Sequence, residues 1–543
     1  MRRSTPPALV AIGLGVLLAS ASVTAFLWLA TDRTESAVST VPAGTSSSTT
    51  TGSSGTSTTV GSTTTSLPDT TTTTGAPLHP WVDRRTVGQP WGDQVVGLLT
   101  HRGNPTHTYH GEGPVPASPA TAWRYPASGG LCGQLTDFGV SSTWCGNGWT
   151  GQPAIWESPD GVTELISGAY DGRLHFVNAV TGEPTRTPLA TDSIVKGSPT
   201  LDPDGFPLVY FGSTDGNLRI AAFDRGDPVT LWAFATPSFS VEGRWNTHWD
   251  SAPLIVNDIM FEGGENSIYY IWKLNRRYDA EGLVTVAPEL LFKMKTWDDA
   301  LLTQIQAGCS AVNAARCTST SVESTTAMFE GRIYFGTSAG RVIGLDITDV
   351  ENGNAPIVFD YWVGDDVDGS IVIDEEGMLY VPVEWKRFNN RGREVGQLVK
   401  LDPYTDGDPR IWGMESITDP PAYGGVWGTP VLGDGVVYVL TNKGNVVAVD
   451  RDTGAELWFH HIGPSARVGV STALSSPILI GNNLLVAGYE GLLYNFDVTN
   501  PRQPELRWEF RVGASTLEAT PVVWKGMIYL FSRDGALYGI EDG

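Results

Sequence analysis

Apolar and polar positions alternate in short runs along much of this chain, most clearly at residues 428–458, GTPVLGDGVVYVLTNKGNVVAVDRDTGAELW. An apolar run at 430–432 meets the turn Gly433-Asp434-Gly435, and a β-branched and aromatic run at 436–440 meets Asn442-Lys443-Gly444. A third run, 445–449, closes on Asp450, and Asp452-Thr453-Gly454 turns the chain into Leu457-Trp458-Phe459. β-Branched and aromatic side chains suit a pleated surface, while Gly, Asn and Asp supply the backbone conformations of tight hairpins. The pattern predicts four short antiparallel strands whose faces need neighbours.

The unit recurs. Its opening signature, a small residue followed by a residue and Pro, aligns eight segments starting at Gly151, Gly197, Ser251, Ser324, Gly369, Gly428, Ser475 and Ala519. Successive spacings are 46, 54, 73, 45, 59, 47 and 44 residues. The second turn recurs at Asp171-Gly172, Asp215-Gly216, Ala339-Gly340, Glu490-Gly491 and Asp534-Gly535. The residue ending strand three recurs as Asn178, Asp224, Asp346 and Asp497, and strand four carries Trp232, Trp362, Trp412, Trp458 and Trp508. The 73-residue interval holds a full unit ending near Trp297 and an insert with Cys309 and Cys317; the 59-residue interval has room for a longer hairpin at 385–396. The eighth copy stops before a fourth strand, and residues 120–125, with Trp123, match the missing piece. A period near 45 with four strands per repeat predicts an all-β, eight-bladed β-propeller of antiparallel blades, closed by an amino-terminal strand.

Upstream of the repeats the composition changes twice. Residues 9–30 are uncharged and mostly apolar behind Arg2-Arg3, long enough to span a bilayer with the remainder exported. Small residues at Ala19-Ser20-Ala21 and Val23-Thr24-Ala25 would also serve a cleaved signal peptide, but the apolar run continues past both and favours a retained anchor. Residues 39–75 are almost entirely Ser, Thr and Gly and cannot bury a core. The expected organisation is an anchor at 1–33, a disordered linker at 34–79, a lead-in segment at 80–118 and the propeller at 119–543. The formal net charge of -24 argues against nucleic acid as a partner. Four cysteines in an exported chain predict disulfides, with Cys132–Cys145 and Cys309–Cys317 the expected pairing of three possible ones.

The Asp-x-x-Thr-Gly-x-x-x-Trp ending at 450–458 resembles the quinoprotein-type repeat. That repeat occurs in pyrroloquinoline quinone (PQQ) dehydrogenases and in non-enzymatic relatives such as BamB-like outer-membrane assembly lipoproteins. The resemblance covers roughly residues 100–543 and is strongest in the sixth and seventh units. It implies blade-to-blade packing for Trp123, Trp232, Trp362, Trp412, Trp458 and Trp508. It also raises PQQ as a cofactor, but the vicinal cysteines of the family's alcohol dehydrogenases are missing and their Ca2+ ligands have no match here, so PQQ is not expected.

Candidate chemistry comes from the alignment. The residue before each opening small residue is Thr150, Lys196, Asp250, Glu323, Asp368, Trp427, Leu474 or Glu518. First strands line a propeller's channel, so these positions should ring its mouth. The four acids Asp250, Glu323, Asp368 and Glu518, with Lys196 beside them, could hold a hard cation such as Ca2+ or form a hydrated rim. The third and fifth units depart most from the repeat, adding Glu265, Asn266, Asp365, Asp366 and Glu384 as further candidates. His101, His107 and His110 have no standard zinc spacing, and a surface segment is expected there. No nucleophile motif emerges, and catalytic residues are not assigned. The sequence thus reads as a monomeric, single-pass, extracytoplasmic membrane protein whose propeller binds a protein, peptide or glycan partner without catalysis. Its rival is a divergent PQQ-dependent dehydrogenase or another alcohol- or carbohydrate-acting propeller with a cation site.

Overall fold

A computed structural model describes residues 81–543 apart from 93, 138–139, 238–240, 308, 310–313, 415–423 and 464–473. The expected anchor at 1–33 and the linker at 34–79 lie outside the described residues, among which no helix is long and apolar enough to cross a membrane. In the repeat that defines the pattern, strands Val431–Gly433, Val436–Leu440, Asn445–Asp450 and Glu456–His461 pair in order, antiparallel throughout. Eight such sheets follow one another along the chain, numbered here as blades one to eight. In the eighth, Ala536–Asp542 pairs antiparallel with Pro119–Tyr125, Trp123 opposite Gly539. The insert after blade three contains the helix Asp299–Gln306, and the longer hairpin of blade five contains the helix Asn390–Val395. Both expected disulfides are formed, Cys132–Cys145 joining the ends of a two-stranded hairpin.

The repeat residues have physical jobs. Asp450 Oδ1 accepts from the backbone N–H groups of Asp452 and Thr453 and from the Thr453 hydroxyl, folding the turn on itself. Gly454 follows with φ 73°, and the Trp412 indole of the preceding blade lies flat on it: a Cβ there would sit 2.7 Å from a ring carbon. Trp412 Nε1 donates to Arg451 O at 3.0 Å, and Trp123 repeats the arrangement on Gly182 and Ala179 O. Thr-Gly and Trp are thus two halves of one inter-blade joint.

One expectation is corrected at this joint. In blades two to eight a β-bulge interrupts the pairing of strands three and four. The residue just past the bulge is Trp232, Trp412, Trp458, Trp508 or Trp123, but Phe292 in blade three and Phe359 in blade four. Trp362 lies beyond the bulge position and donates instead to Ala339 O of its own blade. Phe359 occupies the bulge position of blade four, so Trp362, three residues further along the strand, does not make the inter-blade joint.

At the channel, Ser and Thr tie the innermost strands together. The N–H of Gln152 donates to Ser198 Oγ, Ala252 to Thr325 Oγ1, Thr325 to Ser370 Oγ, Ser370 to Thr429 Oγ1, and Thr429 to Ser476 Oγ, all at 2.8–3.1 Å. Thr520 N completes the course on Gly151 O at 3.2 Å. Pro follows in most copies because this inner edge needs no further donor.

Candidate functional site

Residues 97–112 seal one end of the channel. Gly97–Leu98 pairs with blade one and Gly111–Glu112 runs parallel to Val522–Trp524 of blade eight. Between them, Leu99 O, Pro105 O and Thr106 O accept from Leu201, Met328 and Ile373 of blades two, four and five. Arg102 is fully buried and donates to Pro477 O (2.7 Å) and Pro430 O (2.9 Å) of blades seven and six. Parallel pairing brings Gly111, at φ 119°, so close that a Cβ would meet Val523 O at 2.0 Å. The surface segment expected here is therefore a buried floor. His101, His107 and His110 are all buried in it, and burial holds His107 down to about 4 and the other two well below their ordinary range. Among the described residues they enter no metal-like grouping; His107 Nδ1 lies 2.7 Å from Ile371 O.

The opposite end opens into a cup of about 230 Å³. Four indoles, Trp144, Trp149, Trp245 and Trp427, form much of its wall, with Lys196, Glu265, Arg316, Glu323, Glu518 and Arg533 between them. Trp149 and Trp427 meet across the axis, centroids 5.5 Å apart at 52°. Beneath them only about 10 Å³ remains, bounded by His101 of the floor.

Of the acids expected at the mouth, Glu323 and Glu518 line the cup, Asp368 borders the small cavity beneath it and Asp250 is fully buried, so the four do not form one ring. Asp250, Glu265 and Glu323 bring carboxylate oxygens within 4.8 Å of one another, and so do Asp366, Asp368 and Glu384. Ser338 Oγ lies 3.2 Å from both Glu323 Oε1 and Asp368 Oδ1, linking the two groups. Glu518 stands apart, paired with Arg533 at 3.2 Å. Asn266 is not in the cup wall; it donates to Tyr270 Oη at 2.8 Å within its blade.

Each group carries an internal cation. Lys196 Nζ contacts Asp250. Lys386 Nζ lies 3.2 Å from Asp366, 2.5 Å from Asp368 and 2.9 Å from Glu384, and 4.5 Å from the Trp427 ring. Burial raises Asp366 well above the carboxylate range, reinforced by Asp368. Burial also pushes on Asp368, but Lys386 and the bond with Asp366 outweigh it and hold it down to about 2. Burial raises Glu384 to about 7. In the first group, burial and then the charges of Asp250 and Glu323 hold Glu265 well above its usual range, and burial first raises Glu323 too. Asp250 Oδ1 and Glu265 Oε1 lack hydrogen-bond partners among the described residues.

Lys386, Arg316 and Trp149 were not singled out from sequence. Lys386 follows Glu384-Trp385 in the most divergent blade, and Trp149 immediately precedes the first aligned position; those adjacencies were the available signals.

The arrangement does not fit a flat tricyclic quinone on the axis, since Trp149 and Trp427 touch and leave no slot between them. A divalent cation has no room among Asp366, Asp368 and Glu384, where the Lys386 ammonium already sits. The group Asp250, Glu265 and Glu323 has the oxygen chemistry a hard cation requires.

Comparison with known proteins agrees with the fold. Residues 366–542 match the family model described as outer membrane protein assembly factor BamB. The BamB of Escherichia coli K12 is 26% identical over 144 residues, covering 21% of this chain and 36% of that protein. The chain thus spans about a third of the length of the curated relatives it matches. Among solved structures, a quinohemoprotein alcohol dehydrogenase from Pseudomonas putida HK5 superposes with a TM-score of 0.52 at 12% identity, covering 82% of this chain and 80% of that one. BamB from Moraxella catarrhalis gives 0.47 at 17% identity, covering 70% and 91%. Repeat, fold and partial family match agree: the chain folds as a β-propeller, and its residues 366–542 are similar to the PQQ-type repeats of BamB.

Proposed function

We propose that the protein is a membrane-anchored, extracytoplasmic binding platform whose working surface is the cup. The observation that carries this reading is the blind channel: residues 97–112 fill one end, so all central ligand-facing chemistry opens at the other, between four indoles. Concave, aromatic-lined sites with a few placed charges are the usual form of ligand pockets. Acids around the cup are engaged by Lys196, Lys386 and Arg533, an arrangement that holds the wall in place and suits recognition. Two disulfides suit an oxidising compartment outside the cytoplasm, which agrees with an anchor at residues 9–30. The BamB relatives are named as outer membrane assembly factors, and a protein or peptide partner at the cup is the corresponding role here; a glycan is the alternative partner.

The test is calorimetric titration of the full-length protein in detergent with peptide and saccharide panels, wild type against Trp427→Ala. Saturable binding without turnover, lost in the variant, is the expected result. Ligand binding unaffected by Trp427→Ala would move the working surface elsewhere.

A second reading is favoured by the three converging oxygens of Asp250, Glu265 and Glu323. There the propeller is an enzyme whose cation sits on those residues, oriented by Lys196 and Ser338. Stoichiometric Ca2+ in native metal analysis, with turnover of a carbohydrate that is lost on removing the Ca2+, would establish it over the platform.

A further inference from the structure

Every other cation at the mouth has an anionic partner. Lys196 is held by Asp250, Lys386 by three carboxylates and Arg533 by Glu518. Arg316 is the exception. It lines the cup with its guanidinium carbon 5.7 Å from the Trp245 ring centre, yet among the described residues no oxygen lies within hydrogen-bonding or ion-pairing distance. The carboxylates of Glu323, Asp366, Asp368 and Glu384 act on it from further off, which outweighs its burial and keeps it charged. A guanidinium carries five donors in a planar fork, and a carboxylate is the acceptor that matches two of them at once.

Two further atoms at this mouth make no hydrogen bond among the described residues: the buried donor Trp427 Nε1, and the buried carboxyl oxygen Glu265 Oε1, which has only His248 Nδ1 at 3.9 Å. A ligand answering all three must bring an anion, an acceptor and a donor on one body with a face that lies against an indole. At about 230 Å³ the cup falls below the ~300–1,000 Å³ of sites for drug-sized ligands, so it admits about one ring. A peptide terminus offers a carboxylate but amides in place of converging hydroxyls.

From these placements we infer that the cup takes a carboxylate-bearing saccharide, a uronic acid unit, with Arg316 binding the acid group, Trp427 Nε1 and Glu265 binding hydroxyls, and an indole covering the ring. This rests on the cup being the binding site. Arg316 directly precedes Cys317, which is bonded to Cys309 in a loop of sequence separation 8. The disulfide therefore constrains the residue next to Arg316, and reducing it weakens acid recognition.

The test is calorimetric titration of the full-length protein with D-glucuronate and with D-glucose as its neutral twin, adding trialanine and its carboxamide as peptide controls. Glucuronate should bind at least tenfold more tightly than glucose. Arg316→Gln should erase that preference with an unchanged unfolding temperature, Arg316→Lys should keep part of it, and a reducing agent should lower glucuronate affinity more than glucose affinity. Equal affinity for the two sugars, a preference that survives in Arg316→Gln, or no saturable glucuronate binding overturns the inference. If trialanine binds through the cup and glucuronate does not, the saccharide fails while the platform stands. If neither class binds there and PQQ with Ca2+ does, both fall.

Discussion

Blades six and seven and blades three to five are built on one meander, yet they fill their buried positions differently. Among the described residues of 428–511 the one buried acid is Asp450, which folds its own turn. Across 250–414 the buried acids include Asp250, Glu262, Glu265, Glu323, Asp365, Asp366, Asp368, Asp374 and Glu384. The regular blades show what the repeat needs: apolar strands, an Asp–Thr-Gly turn and a Trp to cover it. The irregular blades show what the same frame can carry when its neighbours supply the stability. Charge inside a fold costs free energy, and it persists here because matched cations and the mouth of a channel compensate.

The difference can be broken most forcefully at Lys386. Lys386→Met leaves Asp366, Asp368 and Glu384 buried without their cation and should destabilise the protein by about 3–5 kcal/mol in denaturant unfolding. A loss below about 1 kcal/mol would mean the group holds its charge by other means. In the regular half, Gly454→Ala should cost about 2–3 kcal/mol, since it imposes a Cβ at φ 73° and drives it into Trp412. Trp412→Ala should remove most of the added penalty, because the steric part is shared by the pair; additive losses would contradict the joint.

Glu262 sharpens the comparison through pH. It is fully buried in blade three, accepts from Ser251 Oγ at 2.8 Å, and burial raises it to about 8. A folded-state value above the unfolded one means the folded protein keeps a proton that the unfolded chain has lost. Stability should therefore fall as pH rises from about 5 to about 8, by up to about 1.4 kcal/mol per pH unit from this group. Glu262→Gln should flatten that slope in urea unfolding across the window; an unchanged slope would assign it to Glu265 and Glu384. The smallest effect belongs to the exposed pair of Lys293 and Glu242, 2.8 Å apart in the same irregular region. Lys293→Ala should cost less than about 1 kcal/mol, which would show that burial and not blade identity sets the cost of charge.

The blade count and turns were legible because each unit is local: its strands, Asp450 and Gly454 lie within a few tens of residues. Two wall residues of the cup, Glu323 and Glu518, were legible too, because alignment places them at equivalent points of their units. The division of the acids into two groups was not. It depends on Glu265, Asp366 and Glu384, which belong to other parts of the blades, and on Lys386, which no repeat position marks. The floor was least legible. Residues 97–112 have no strand pattern of their own, and their partners run from Thr86 to Lys525. Phe359 in place of a Trp was hidden for a different reason: Trp362 stands three residues further along the same strand and offers the expected residue type.

The pairing of Pro119–Tyr125 with Ala536–Asp542 has a kinetic consequence. The first of these strands leaves the ribosome more than four hundred residues before its partner exists. Blades one to seven can each form from contacts made soon after synthesis, whereas the seam and the floor close a loop spanning nearly the whole domain. Such long-range closure is slow, and until it happens the early strand presents an unpaired edge. The last blade is therefore the step at which assembly of this protein is most exposed to misfolding and to chaperone control.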